Sequence, residues 1–499
     1  MSNLSLLEEK LKQVSDRWQS LPLETREQQV EGIEFYSREV FPLIKQVFVA
    51  RESPKIRKPI LGLILPVGTS PEPLVLSISA IKPERVLFLH THETEYVLDA
   101  IIDRTNLKAR QWDKRTIDPA DPTHIYREIK EAWIRWGRRR DIAVDFTGGT
   151  KSMSGGAAMA GALLGAQLVY IANRKYLPDP YRRPEPGSEY LEFVPNPYLV
   201  FGDLEEMEAA NRFHRFDFAG AAVILENLAE KAVYPRRYQA LASLAAAYKA
   251  WDDLDFSQVC SCVEKTINAV EALSHHKGMG SSSGLVENIQ LLSTQLKQLE
   301  EVARLMPSKY GESTLPLLQN PDVTASLLLT IYASAERKET RREFDTASLL
   351  LYRLVELMAQ RRLASYSIDT GDPDYAALRS FPQEQLVEKI NGIREDLKWH
   401  PISNLPRPIS LADGYMLLEA LNDPYGLRLA GVNWKKFLAE TRRRNHSILA
   451  HGFIFIPEEQ YIQFKQMVDS LLDLFCTVEG LERSRLHQEH AFIDPWLQV

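Results

Sequence analysis

IAVDFTGGTKSMSGGAAMAGALLGAQLVYIA, residues 142–172, carries the pattern that decides the fold. It opens on a short apolar run (IAVDF, 142–146) and closes on another (QLVYIA, 167–172). Between them lie a Gly-Gly loop, a Gly/Ala-rich stretch of helical character and a turn at Gly165. A short apolar strand, a helix and a second apolar strand make a parallel βαβ unit whose strands are covered on both faces. The alternation continues upstream. PILGLILPV (59–67) and VLFLH (86–90) are further apolar runs, and SPEPLVLSISAI, THETEYVLDAIIDRT and PTHIYREIKEAWIRWG have helical spacing. EYLEFVP, ending at Pro195, reads as a closing strand. The expected fold is α/β for this part, a doubly wound sheet with helices on both faces. The stretch from Gly155 to Ala172 is the longest apolar one, but it is Gly/Ala-rich and broken by Gln167, so it reads as buried helix and strand, not a membrane span.

Either side of this block the pattern is helical. Residues 1–50 read as two helices, LSLLEEKLKQVSDRWQSL and ETREQQVEGIEFYSREVFPLIKQVF, with apolar residues three or four apart. From Leu204 onward strand signals are scarce, so an all-α region follows the α/β one. A Gly/Ser-rich break, HHKGMGSSSGL (275–285), and a linker at 306–316 interrupt it, and FIFIP (453–457) is its one short apolar run.

The 499 residues are too many for one ordinary core. Lys and Arg total 60 against 67 Asp and Glu, a formal charge of −7, so the surface is not the basic coat of a non-specific nucleic-acid binder and any such site must be local. Three cysteines, Cys260, Cys262 and Cys476, cannot make a disulfide framework in a chain of this size. The charged start MSNLSLLEEKLKQ has no apolar signal-peptide core, and a cytoplasmic location without membrane attachment is the expectation.

Ligands of doubly wound sheets bind beyond the carboxyl ends of the strands. Two such ends are rich in glycine and hydroxyls: Gly68, Thr69 and Ser70 after the first strand, and Thr147, Gly148, Gly149, Thr150 and Lys151 after the strand at 142–146. Paired glycines let backbone approach a ligand, the following helix start offers free N–H groups, and Lys151 adds charge, which together suit phosphate. A Walker A loop would need Gly directly before Lys151, where Thr150 stands, and no GxGxxG follows the first strand. The motif alone also fits a tight β–α turn whose glycines serve packing. His90-Thr91-His92-Glu93-Thr94-Glu95 after the second strand reads as a helix cap formed by Thr91 or Thr94 rather than a metal site, in a loop that could line the same pocket.

A second constellation is Arg444-Asn-His-Ser-Ile-Leu-Ala-His451-Gly452. If helical, seven residues make nearly two turns, placing Arg444 and His451 on one face about 10 Å apart. Gly452 would then be the residue past the helix end, with His451 in the last turn, where the dipole favours imidazolium. An Arg and a titrating His suit metal-free RNA cleavage, the His moving a proton and the Arg neutralising the phosphorane, with Asn445 able to hold phosphate or orient the His. On spacing alone a solvated basic face with a capping His is the commoner arrangement.

Taken together and in this order, VGTSPEP, DFTGGTKSM and RNHSILAH resemble the CARF–HEPN accessory ribonucleases of type III CRISPR systems. Asp345–Gln360, DTASLLLYRLVELMAQ, is similar to a long first HEPN helix. The resemblance implies an N-terminal helical extension (1–50), a Rossmann-like CARF sensor (51–203), a helical linker domain (204–320) and an α-helical HEPN ribonuclease domain (321–499). It implies a homodimer in which cyclic oligoadenylate, the allosteric activator, binds at Gly68, Thr69, Ser70 and Thr147 to Lys151. Arg444, Asn445 and His451 of both copies would then cut single-stranded RNA without metal or other cofactor, in antiviral defence. The competing expectation is a nucleotide-sensing regulatory protein whose helical domain recruits a partner without catalysis.

Overall fold

The structure is a computed structural model. It describes residues 3–233, 235–274, 283–309, 311–428, 431–445, 447–449 and 452–496, without the side chains of 3, 274, 283–284, 443–445 and 485–486. It divides into two compact units, residues 1–203 and 204–499.

The first unit begins with α1 (Asn3–Gln19), α2 (Arg26–Phe35) and α3 (Phe41–Glu52). The last two, expected as one helix, are joined by a π-helical turn at Tyr36–Val40. Thr25 starts α2 through a capping box with Gln28. The sheet then builds in chain order: β1 (Gly62–Pro66), α4 (Glu72–Ile81), β2 (Arg85–His90), α5 (Val97–Thr105), β3 (Trp112–Thr116), α6 (Pro122–Arg135), β4 (Ile142–Asp145), α7 (Lys151–Leu163), β5 (Gln167–Asn173) and β6 (Glu189–Val194). The strand order is β3-β2-β1-β4-β5-β6, parallel except for β6, which runs antiparallel to β5.

Successive residues of β1 face opposite layers. Leu63 and Leu65 join a core with α1, α3, α4 and α5, while Ile64 joins Ile125, Ile129, Ala157 and Ala160 of α6 and α7 on the other side. This is the expected doubly wound arrangement. The glycines of α7 let it lie close to the sheet: a Cβ on Gly161 would stand 2.7 Å from Leu168 Cδ2. β3 was not expected. Its sequence, WDKRT, is half-exposed at the sheet edge and carries three charges, so it offers no apolar run.

The N-terminal helices dock through aromatic and charged contacts. Arg183 sits 4.0 Å above the Tyr36 ring, and Trp18 meets the rings of Tyr36 and Tyr181. Fully buried Glu52 pairs with Arg51 and Lys55 and accepts from the Leu191 N–H, tying α3 to β6.

The second unit is helical throughout, apart from the single bridge Ser447–Ile454 among the described residues. Four helices spanning Asp203–His214, Phe218–Lys231, Pro235–Asp252 and Phe256–Ser274 come first. The longest that follow are Ile289–Leu305, Pro321–Thr340, Phe344–Ala364 and Glu458–Glu479. Most of the break expected at 275–285 lies outside the described residues. One continuous core serves the unit. Two buried ion clusters cross it: Asp252 holds Arg337 and Lys338, and Arg362 bridges Asp423 and Glu479 at 2.6 and 2.7 Å. No described helix is long and apolar enough to cross a membrane.

Buried Glu189, at the start of β6, gives a pH test. Loss of solvent pushes its carboxyl up from 4.5 to about 7, against the pull of the Gly187 N–H and Arg51. A carboxyl raised in the fold favours the protonated native state. That stabilisation is complete below pH 4.5 and is lost as pH rises through about 7. At about 1.4 kcal/mol per unit, ionising it costs the fold roughly 3 kcal/mol at pH 8. Glu189→Gln, which keeps an acceptor for Gly187, should therefore raise the thermal midpoint by several degrees at pH 8 and leave it unchanged below pH 5. Equal midpoints for the two proteins at pH 8 would refute this.

Candidate functional site

The sheet reverses direction of construction between β1 and β4, and the chain departs to opposite sides there. Such a switch point leaves a crevice beyond the carboxyl ends of the strands. A cavity of about 650 Å³ occupies it. Val67, Gly68 and Thr69 contribute from the end of β1, Thr91 to Thr94 from β2, and Thr116 to Pro119 from β3. His124 of α6 and Gly149, Thr150 and Met153 at the start of α7 close it.

Close backbone approach shapes this crevice. A Cβ on Gly148 would lie 2.3 Å from the Pro66 carbonyl oxygen, and one on Gly68 would lie 2.7 Å from the Gly149 nitrogen. Gly149 itself has φ of 87°, in the left-handed region. The Thr150 hydroxyl caps α7 by accepting from the Met153 N–H, and the Ser154 hydroxyl donates to the Gly148 carbonyl. Beneath the loop, fully buried Asp145 accepts from both the Thr147 N–H and the Thr147 hydroxyl. Burial pushes its carboxyl up, opposed by Ser77 and Thr147.

Of the eight expected ligand residues, Gly68, Thr69, Gly149 and Thr150 line the cavity. Gly148 shapes it from behind. Thr147 turns inward: besides bonding Asp145, its oxygen accepts the Ile171 N–H at 2.7 Å, joining β4 to β5. Lys151 is exposed in the first turn of α7, and Ser70 is exposed just before α4, neither lining the cavity. The 90–95 loop does line it. His90 is buried at the strand end with Nδ1 at 3.0 Å from the Thr91 carbonyl, while the Thr94 hydroxyl accepts from the Thr91 N–H.

The β3 end and His124 escaped the sequence reading because β3 itself did. The Asp118 N–H donates to His124 Nδ1, and Nε2 of the same ring lies 3.5 Å from Glu128. The Asp-Pro pair at 121–122, a cap followed by Pro at the first helical position, was the signal that a loop, and so a strand end, precedes α6.

The second constellation differs from expectation. The helix carrying Arg444 ends at Asn445 (Trp434–Asn445) and does not continue to residue 451. Ser447 bridges to Ile454, the Ile448 N–H donates to the Ile454 carbonyl, and the Gly452 N–H donates to the Ser447 carbonyl. Gly452 thus closes a turn of its own and does not follow a helix end. The Gly-Phe-Ile-Phe-Ile stretch favours extended chain, and its pairing with Ser447 and Ile448 replaces helical bonding. His451 lies outside the described residues, and for Arg444 and Asn445 only the backbone is described. Buried Phe437 and Trp434 anchor this helix, and the Trp434 N–H donates to Glu419. Beyond the helix end, Phe453, Ile454 and Phe455 are 90%, 66% and 71% exposed.

Residues 319–474 match the family model of the Csm6 HEPN domain, and residues 201–292 match that of the Csm6 6H domain. Two domain models of Csm6 proteins thus match within this one chain, in the order 6H then HEPN. It is 27% identical over 407 residues to the CRISPR system endoribonuclease Csm6 of Thermus thermophilus, covering 78% of this chain and 79% of that protein. Among solved structures it is similar to Enterococcus italicus Csm6 bound to cyclic hexa-2′-fluoro-hexa-dAMP, at 11% identity and a TM-score of 0.39, covering 86% of this chain and 97% of that one. It is also similar to Can2 from Sulfobacillus thermosulfidooxidans in complex with cyclic tetra-adenylate, at 15% identity and a TM-score of 0.22 over 37% of this chain and 51% of that one. The crevice lies in the α/β unit, and the helix bearing Arg444 falls inside the HEPN match.

The glycines of the crevice give a paired test. Gly148→Ala forces a methyl into the Pro66 carbonyl and should cost about 1–3 kcal/mol. Gly155→Ala, on the exposed face of α7 with nothing within 4 Å of the added carbon, should instead stabilise by up to about 1 kcal/mol. Denaturant unfolding of the two variants would read both signs, and destabilisation by Gly155→Ala or a neutral Gly148→Ala would contradict the packing described.

Proposed function

We propose that this protein is an endoribonuclease of type III CRISPR defence, switched on by cyclic oligoadenylate bound at the carboxyl ends of the sheet strands. One observation carries the reading: a HEPN match and a 6H match stand in one chain with a doubly wound unit that has an open, glycine-shaped crevice at its switch point. The crevice suits nucleotide phosphates through backbone N–H groups and the start of α7, with Lys151 close by in sequence. Gly68, Thr69, Ser70 and Thr147 to Lys151 are the proposed activator residues, the hydroxyl of Thr147 acting through the Asp145 turn.

In the proposed cleavage, the RNA 2′-hydroxyl attacks the adjacent phosphorus and the bond to the 5′-oxygen breaks. His451 moves a proton at one of these oxygens, Arg444 offsets charge on the phosphorane, and Asn445 holds phosphate or orients the His. No step requires a metal. One Arg and one His are sparse for this task, and the proposal pairs them with those of a second copy. The exposed Phe453, Ile454 and Phe455 beside the Arg444 helix support that pairing, because apolar side chains so exposed favour burial against a partner. An even-membered ring of adenylates has a two-fold axis that matches a symmetric dimer. Binding at one end then activates the other by favouring one dimer arrangement.

The test mixes purified protein with labelled single-stranded RNA and cyclic tetra- or hexa-adenylate. Cleavage should require one of the rings. His451→Ala and Arg444→Ala should each lower it at least 100-fold without weakening ring binding. Lys151→Ala should raise the ring concentration needed. Full cleavage by His451→Ala, or cleavage independent of either ring, would overturn the proposal.

A further inference from the structure

The opposite end of the same sheet holds a second cleft that the proposed activity does not use. It lies at the amino ends of β1, β4 and β5 and beside Phe193 of β6, with a volume of about 620 Å³. Ligand clefts of this size accommodate molecules of nucleotide dimensions. Its base is apolar: Ile60 and Ile142 are buried, and Ile56 and Phe193 are half-buried.

The charges around that base are one-sided. Lys55, Arg57, Lys58 and Arg140 line the cleft, and Asp141 is its one acidic residue. Asp141 is already neutralised, since both its carboxylate oxygens bond the Arg139 guanidinium. Lys55 is engaged by Glu52 at 2.7 Å. Arg57, Lys58 and Arg140 are exposed and make no ion pair among the described residues. Three uncompensated cations about one cleft, in a chain of net charge −7, create a local positive potential that attracts an anion.

The backbone that presents Arg140 is unusual as well. Gly137 and Arg138 both have positive φ, 82° and 53°, in the turn that leads from α6 into β4. An arginine in the left-handed region is disfavoured, yet here it lets the chain turn back sharply so that Arg140 reaches the cleft rim. Guanidinium groups bind phosphate through paired N–H donors, and an aromatic face such as that of Phe193 stacks on a nucleobase.

We propose that this cleft binds a phosphorylated nucleoside, its base on the apolar floor against Phe193 and its phosphate held by Arg57, Lys58 and Arg140. The same chemistry is offered by a free nucleotide and by the phosphorylated end of an RNA strand. The inference is independent of the activator crevice, which lies at the other end of the strands.

Binding is measured by calorimetry on the full chain carrying His451→Ala, which is proposed to keep RNA intact. The probes are ATP without divalent metal, a short 5′-phosphorylated RNA and its 5′-hydroxyl counterpart. The expected result is saturable binding of ATP or of the phosphorylated RNA, identifying the source, with the 5′-hydroxyl RNA at least tenfold weaker. Arg57→Ala/Lys58→Ala/Arg140→Ala should weaken that binding at least tenfold, and Phe193→Ala several-fold, with cyclic oligoadenylate binding unchanged in both. Phe193→Leu, which keeps the packing but removes the ring, should behave like Phe193→Ala. The proposal is overturned if no probe binds, if the triple variant binds as the parent does, or if the 5′-hydroxyl RNA binds as tightly as the phosphorylated one.

Discussion

Gly148 approaches the Pro66 carbonyl so closely that no side chain fits between them, and this contact sets the geometry of the switch point in the α/β unit. It brings the loop after β4 against the end of β1, the two strands between which the order of construction reverses. Gly68 and Gly149 extend the contact, so three glycines from two loops form one seam. The crevice opens directly beyond that seam. Bulky side chains are thereby kept off the seam itself, and a ligand there meets backbone, the Thr69 and Thr150 hydroxyls and the start of α7. Asp145 secures the arrangement from below. Its two bonds to Thr147 fix the turn, and Thr147 in turn accepts from β5. A ligand pressing on this loop therefore presses on three adjacent strands.

Much of this was legible because the physics is local. Four of the five parallel strands are apolar runs, as strands covered on both faces must be, and the Gly-Gly-Thr-Lys loop marks the turn between β4 and α7. β3 was not legible, because at the sheet edge Lys114 is exposed and Asp113 and Arg115 are only half-buried, so no fully buried face imposes an apolar pattern. Its loss concealed Thr116, Asp118 and His124, a whole wall of the crevice. Thr147 illustrates a different limit. Sequence places it in the loop with the other candidates, but only the fold shows its hydroxyl spent on Asp145 and Ile171.

The segment after Asn445 was misread for a tertiary reason. Spacing of seven suits a helix, and nothing in Arg-Asn-His-Ser forbids one. The competing term is the β-rich Gly452–Ile456 stretch downstream, whose Ile454 takes both Ser447 and Ile448 as partners. A turned chain changes what the spacing means. The helix that carries Arg444 ends at Asn445, so the seven-residue spacing no longer fixes one rigid helix face, and whatever packs against the Ser447–Ile454 pairing gains influence over the segment. Phe453 and Phe455 are the exposed residues available for that packing. If a second copy supplies it, as proposed, dimer arrangement and catalytic geometry become one variable, and a ligand that selects an arrangement controls cleavage without touching the reacting groups.

The two ends of the sheet use contrasting chemistry toward anions. At the carboxyl ends the lining is hydroxyls, glycine backbone and histidines, with Glu93 and Asp118 among them, so attraction comes from oriented N–H groups more than from fixed charge. Such a site discriminates by shape, since only a ligand that reaches the backbone gains from it. At the amino ends Arg57, Lys58 and Arg140 stand as free cations over an apolar base, and attraction there acts at a distance and weakens with salt. Helix direction reinforces the difference. In a parallel doubly wound sheet, helix N-termini gather at the carboxyl ends of the strands and helix C-termini at the amino ends. A negative helix pole at the amino ends would repel phosphate, and the arginine-bearing turn after α6 supplies positive charge that opposes it. On both proposals, an acidic chain confines its attraction for nucleotides to places where backbone dipoles or clustered cations outweigh its net charge.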